Sequence, residues 1–506
     1  MENSSVLFEL VKSLSKSEKR YFKLSCSVHK GMKNYLKLFD AIDTQAVYDE
    51  RAIQQKHGFK KLPNLKNYLY SLILKSLQGY HSTISIDSTL KNLLLQIEIL
   101  YNKALYDACE KMLSRAKKLA YKHEQFLAVL EMLEWERKII YAKAQELDKN
   151  KNLETIENET KEILKKYDNY LQYRKLNSGI LKEHRKERHI RNNDSAKYDH
   201  IIQSELFKKN KSLSSRANYL YHFTKGLYNL SKGDYVNAYQ NFSEVLLLFQ
   251  STPGFVQPNF SGYVSTLHNM IIAAHSLKKY DESIVYIQKL KSLENDFHAE
   301  VKDENIQLKI FASCYINELG LCINKGEFVK GLSIVPEIEK GLIKFKHKIV
   351  PTHAMTLYYN ISTIYFGVND YSQSLLWLNK ILNDPEIVNV PDVHCYAQIF
   401  NLVIHYELGN EDLLEYIVKS THRFLYKKNR LYKVETSLLN FIRKEVPEMI
   451  TKEQQIQAFR RLKIELEEIT QDIFEKKALE YFDILAWLDS KTGNKSFARI
   501  LKEKTQ

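Results

Sequence analysis

Residues 215–249 read SRANYLYHFTKGLYNLSKGDYVNAYQNFSEVLLLF, and this stretch decides the fold. Apolar and aromatic side chains recur at helical spacing as far as Leu230, which makes the first part an amphipathic helix. Lys232-Gly233-Asp234-Tyr235 then breaks the period as a turn. Ala238, Phe242 and Val245 open a second helix. Neither helix of such a pair buries its apolar face alone, so more pairs must stack on it.

The same signature returns downstream as Lys279-Tyr280-Asp281-Glu282-Ser283, as Lys325-Gly326-Glu327-Phe328 with Gly331, and as Asn369-Asp370-Tyr371 with Ser374. Leu408-Gly409-Asn410-Glu411 is a fainter copy, and Leu105-Tyr106-Asp107-Ala108-Cys109 an upstream one. The pattern resembles the tetratricopeptide (TPR) family. There a small residue in the first helix, here Gly226, admits the second helix, while an aromatic after the turn, here Tyr235, and a small residue three later, here Ala238, lock the pair. The anchors Tyr235, Tyr280, Phe328 and Tyr371 are 45, 48 and 43 residues apart, longer than the family period of about 34. The repeats are therefore elongated. The resemblance covers roughly 90–145 and 215–430, and implies an all-α, TPR-like α-solenoid of helix hairpins.

Composition agrees with this class. Glycine is 15 and proline 8 of 506 residues, against usual levels of about 7% and 5%, so turns are few and helices long. Hydrophobic residues at 44% and aromatics at 12% are ample for a buried core. Cys26, Cys109, Cys314, Cys322 and Cys395 are scattered, with no C-x-x-C pair, and read as reduced core thiols. The first ten residues lack the order of a secretory signal. Apolar runs such as Val245–Phe249 fall far short of the roughly 18 residues of a spanning helix. A cytoplasmic protein outside the membrane is expected.

The flanks do not show the repeat. Ser15-Lys16-Ser17-Glu18 is a capping box, which predicts a helix carrying Tyr21, Phe22 and Leu24 inward. Helices are also expected from Asp49 to His57, stopping at Gly58, and from Pro63 to about Gln78. This pair loosely resembles a helix-turn-helix. Its second helix carries so many apolar residues that it reads as buried, with mainly Asn64, Asn67, Ser71, Lys75 and Gln78 left for solvent. Asn152 to about Arg191 reads as one or two long polar helices, and 251–262 as a linker. A long helix from Glu453 carries a seam of Phe459, Leu462, Leu466, Ile469 and Ile473. The division expected is a basic N-terminal helical bundle (1–85), a helical repeat with a long polar helix (86–200), the TPR-like array (201–435) and a C-terminal helical cap (436–506).

No chemical motif emerges. The sequence has no G-x-x-x-x-G-K-[ST], G-x-G-x-x-G, H-E-x-x-H or G-x-S-x-G. His184 and His189, five apart, do not form the i, i+4 pair of a metal site. No catalytic residue, metal or cofactor is expected.

Two surfaces remain as binding candidates. The TPR resemblance implies that Phe223, His268, His275, Tyr359, Thr363, Tyr396 and Tyr406 line a groove suited to a peptide or partner helix; each is equally suited to the core between helices. The second surface is basic. Net charge is +14, and residues 1–80 hold 14 cations against 7 acids, half of that excess. Lys16, Lys19, Arg20 and Lys23 line one side of a helix, Lys60, Lys61 and Lys66 flank the start of the helix that begins at Pro63, and Lys182, Arg185 and Lys186 follow helical spacing further on. The leading reading is a non-catalytic scaffold for a protein or peptide. Its alternative is a nucleic-acid-associated regulator or ribonucleoprotein component that touches phosphates through the N-terminal bundle.

Overall fold

One turn geometry joins helix to helix along much of the chain. In the turns at Ala104, Glu124, Gly233, Lys278, Gly326, Asn369 and Gly409, that residue takes a left-handed backbone, with φ between 48° and 75°. The next residue donates its amide to the carbonyl five positions back, at 2.8–3.1 Å. This closes the last carbonyls of the first helix, and the second helix starts immediately afterwards. Glycine occupies only three of the seven positions. An L side chain there costs about 1 kcal/mol, so Ala104→Gly is expected to stabilise by about that much, read as a raised urea midpoint.

The computed structural model describes residues 2–27, 34–82, 85–143, 149–186, 199–252, 254–297, 301, 303–346, 348–383, 391–493 and 495–505. It is all-helical, with no strand among the described residues. The chain forms two compact units, 1–160 and 161–506, with the boundary inside the long polar helix.

The first unit opens with α1 (Glu2–Ser13), α2 (Lys16–Ser27), α3 (Asn34–Thr44), α4 (Glu50–His57) and α5 (Leu62–Tyr80). The Ser15 capping box forms: Ser15 N donates to Glu18 at 2.7 Å and Glu18 N to Ser15 Oγ at 3.3 Å. Asp49 caps α4, and Gly58 ends it in the left-handed region. Leu7, Val11, Phe22, Phe39, Leu69 and Ile73 make the core. Of the three side chains expected inward on α2, only Phe22 is buried; Tyr21 is 39% and Leu24 58% exposed, because the helix gives the core just a narrow Phe22/Cys26 edge. α6 (Ile86–Asn102), α7 (Tyr106–Lys122) and α8 (Phe126–Ala142) follow as consecutive antiparallel neighbours. A single helix, α9 (Lys149–Lys186), crosses the unit boundary.

In the second unit, short α10 (Asp199–Ile202) and α11 (Glu205–Lys208) precede five helix pairs. These are α12 (Ser215–Lys232) with α13 (Tyr235–Ser251), α14 (Phe260–Ser276) with α15 (Tyr280–Asp296), α16 (Glu304–Asn324) with α17 (Phe328–Lys344), α18 (Pro351–Gly367) with α19 (Tyr371–Leu382), and α20 (Pro391–Glu407) with α21 (Glu411–Lys427). Most of these helices run 17 residues or more, which is why the sequence anchors stand so far apart. A Cβ added at Gly226 would lie 2.6 Å from Phe242, so the small residue does set the close approach within the first pair. The expected linker before α14 is anchored: Phe255 is buried against Phe249, with ring centroids 5.3 Å apart.

α22 (Lys433–Asn440) runs into a π-turn, and α23 (Lys452–Ile469), α24 (Ile473–Lys476), α25 (Ile484–Thr492) and α26 (Phe497–Thr505) complete the chain. Phe459, Leu462 and Leu466 of the expected seam are buried, whereas Ile473 is 77% exposed because α23 ends before it. All five cysteines are free and buried. By length and composition α16 is apolar enough to cross a membrane, the one such helix among the described residues. Its Phe311, Cys314, Leu319, Leu321 and Cys322 are instead spent in the core.

Candidate binding surface

The first helices of successive pairs, α12, α14, α16, α18 and α20, also touch one another in order, forming a continuous row. Between α14 and α16 this row carries a polar seam. Ser261, His268 and His275 repeat every seven residues, two helical turns, and each meets a polar group of α16. Lys309 Nζ donates to the Ser261 carbonyl at 2.6 Å and to its Oγ at 2.8 Å. The Asn317 amide lies 2.8 Å from His268 Nδ1 and that of Asn324 2.5 Å from His275 Nε2. Burial pushes the His275 imidazole down to about 4, so it is neutral at pH 7 and its Nε2 accepts from Asn324. Burial also pushes the Lys309 ammonium down to about 8, with no carboxylate among its described partners.

Further along the row the surface is covered from within the chain. Tyr481 stacks on Tyr396 at 3.7 Å between centroids and stands edge-on to Tyr359. Phe482 packs on Phe400 and Phe366, and Phe497 on Phe328 and Phe366. Trp487 sits edge-on to Tyr406, its Nε1 donating to Glu407 at 2.6 Å, and Lys491 pairs with the same carboxylate at 2.5 Å. Burial, with the charge of Glu407, pushes the Tyr406 phenol up to about 12.

The groove candidates therefore divide. Tyr359, Thr363 and Tyr396 are buried and Tyr406 half-buried, so these four face protein, not an open groove. For Tyr359, Tyr396 and Tyr406 the physical reason is the C-terminal segment, whose aromatic side chains occupy the face that the resemblance assigned to a ligand. Phe223 is likewise buried, packed on Phe242 and Tyr219. His268 and His275 remain half-exposed on the seam.

The basic candidates divide as well. Lys19 pairs with Asp43 and Lys23 with Asp40, both at 2.6 Å. Lys66 is buried against Glu50 at 2.8 Å, because it falls on the core side of α5. Lys16, Arg20, Lys60, Lys61 and Lys182 are exposed; the side chains of Arg185 and Lys186, with residue 189, lie outside the described residues. α5 buries only Leu62, Lys66, Leu69, Ile73 and Ser76. The reading of α5 as a mostly buried helix is thus corrected: besides Asn64, Asn67, Ser71, Lys75 and Gln78, it exposes Tyr68, Tyr70 and Leu74.

Sequence reasoning missed Lys309, Asn317, Asn324 and Glu407. The heptad repeat of Ser261, His268 and His275 was a usable signal, but their partners lie 48–49 residues away. Among the described residues no three His, Cys, Asp or Glu side chains converge as metal ligands would. Comparison with protein-family models, with curated proteins and with solved structures gives no match for this chain.

Proposed function

We propose that this chain is a non-catalytic, cytoplasmic scaffold: a TPR-like α-solenoid of helix hairpins that holds a protein or peptide segment along the α14–α16 seam. The observation that carries this reading is a line of imidazole, amide and ammonium groups on a row of packed helices, exposed at Ser261 and Asn324, half-exposed at His268, His275 and Lys309, with Asn317 buried behind it. Such groups hydrogen-bond a peptide backbone without demanding one sequence. The aromatic face beyond it is already filled by the chain's own C-terminal segment, which directs a partner to the seam.

Affinity capture at moderate salt after nuclease treatment tests the proposal, with the full chain and with a Ser261→Arg/Asn324→Arg variant as baits. Both substituted positions are exposed, and a thermal melt of the variant establishes that folding is kept. A stoichiometric protein partner is expected on the first bait and not on the second. Equal recovery on both would exclude the seam, and absence of any nuclease-resistant partner would count against a scaffold.

A further inference from the structure

Residues 51–86 contain no aspartate or glutamate, yet they carry six lysines and arginines. The fold turns this bias into a surface. On α2, Glu18 meets His81 at 2.7 Å, Tyr21 packs edge-on to Tyr80 and Ser25 reaches Ser76, so these residues face α5. Lys19 and Lys23 face the acids of α3, and Phe22 and Cys26 the core. What remains outward on α2 is Lys16, Ser17, Arg20 and Leu24. The helix's one acid is turned inward: burial alone would raise its carboxyl, but hydrogen bonds from Ser15 and His81 outweigh this and keep it ionised.

On α5 the outward side carries Asn64, Asn67, Ser71, Lys75 and Gln78, with the exposed Tyr68, Tyr70 and Leu74 beside them; the polar stripe spans about 21 Å at 1.5 Å per residue. Exposed cations stand at both ends. Lys60 and Lys61 lie at the start of α5. Lys16 and Arg20 lie near its end, where Glu18 meets His81. None of these four has an acid partner among the described residues.

We propose that this face binds duplex DNA, with α5 along the major groove, its Asn64, Asn67 and Ser71 toward base edges, and Lys60, Lys61 and Arg20 on phosphates. Charge complementarity selects a polyanion, since an acid-free face flanked by cations is what a phosphate backbone attracts. Asparagine and glutamine amides match the donor–acceptor edge of adenine. A lipid surface fits less well, because it needs a continuous apolar helix side, and the exposed Tyr68, Tyr70 and Leu74 are interrupted by Asn67, Ser71 and Lys75. The proposal concerns the first unit and is independent of the seam.

Fluorescence anisotropy of the full chain with a labelled duplex of about 20 base pairs, titrated across salt concentrations, is the test. Three phosphate contacts predict a slope near −3 in log affinity against log salt, at about −0.9 per contact. Lys60→Gln/Lys61→Gln should lower that slope by about 2 and weaken binding at least tenfold. Asn67→Ala/Ser71→Ala should weaken binding to preferred sequences with the slope unchanged. All four positions are exposed, and thermal melts of the variants establish that folding is kept. No duplex binding at low salt, unchanged affinity in the lysine variant, tighter binding of a single strand, or binding of phosphatidylserine vesicles in place of duplex would each overturn the proposal.

Discussion

Trp487→Ala is expected to destabilise the second unit by about 4 kcal/mol. Trp487 is among the largest fully buried side chains, 1% exposed. Its ring meets Phe459 and Tyr406, and its Nε1 donates to Glu407. Truncation leaves a cavity that the surrounding rings cannot fill. It also strips one donor from a buried carboxylate, leaving it to Lys491 and to Tyr371, whose phenol is raised by burial and by Glu407. Trp487→Phe restores most of the volume without the donor, so it should recover more than half of the loss. Urea unfolding followed by circular dichroism measures both; a change below about 1 kcal/mol for the alanine variant would mean that the C-terminal segment is not integral to the row it covers.

Acidification is the second large effect, and its direction follows from His275. Above about 6.5, the ordinary imidazole value, the ring is neutral in folded and unfolded chains alike and adds no pH dependence. Between about 6.5 and the folded value of about 4, the unfolded chain takes up a proton that the folded ring refuses. Stability therefore falls as pH falls through this window, by about 3 kcal/mol for this ring at roughly 1.4 kcal/mol per pH unit. His222, His394 and His405 are also lowered by burial and act in the same direction. Urea midpoints at pH 7 and pH 4.5 read the effect. His275→Asn, which cannot protonate, should flatten the acid limb relative to the parent; an unchanged slope would show that the ring is not the group responsible.

Local patterning was legible wherever the physics is local. The Ser15 capping box, the stop at Gly58 and the pair around Gly226 and Phe242 each depend on residues a few positions apart or on one helix meeting the next. The hairpin turns show the limit of that legibility. The copies with glycine at the left-handed position, Gly233, Gly326 and Gly409, are visible, while Glu124 in the same backbone state went unread, because the turn is imposed by packing on both sides and not by the residue's preference. α5 shows another limit: apolar residues crowd its sequence, yet the small bundle has core for only one edge of it, and Tyr68, Tyr70 and Leu74 are left outside.

The sequence by itself determined that this protein is helical and that its helices come in pairs, since period and turn chemistry act over a few residues. Only the tertiary structure decided which side chains face solvent. Burial depends on what arrives from elsewhere in the chain: Tyr481 comes 85 residues after Tyr396 to cover it, and Asn317 arrives 49 residues after His268 to complete the seam. Helical periodicity assigns a residue to a face, but not the partner that the face will meet.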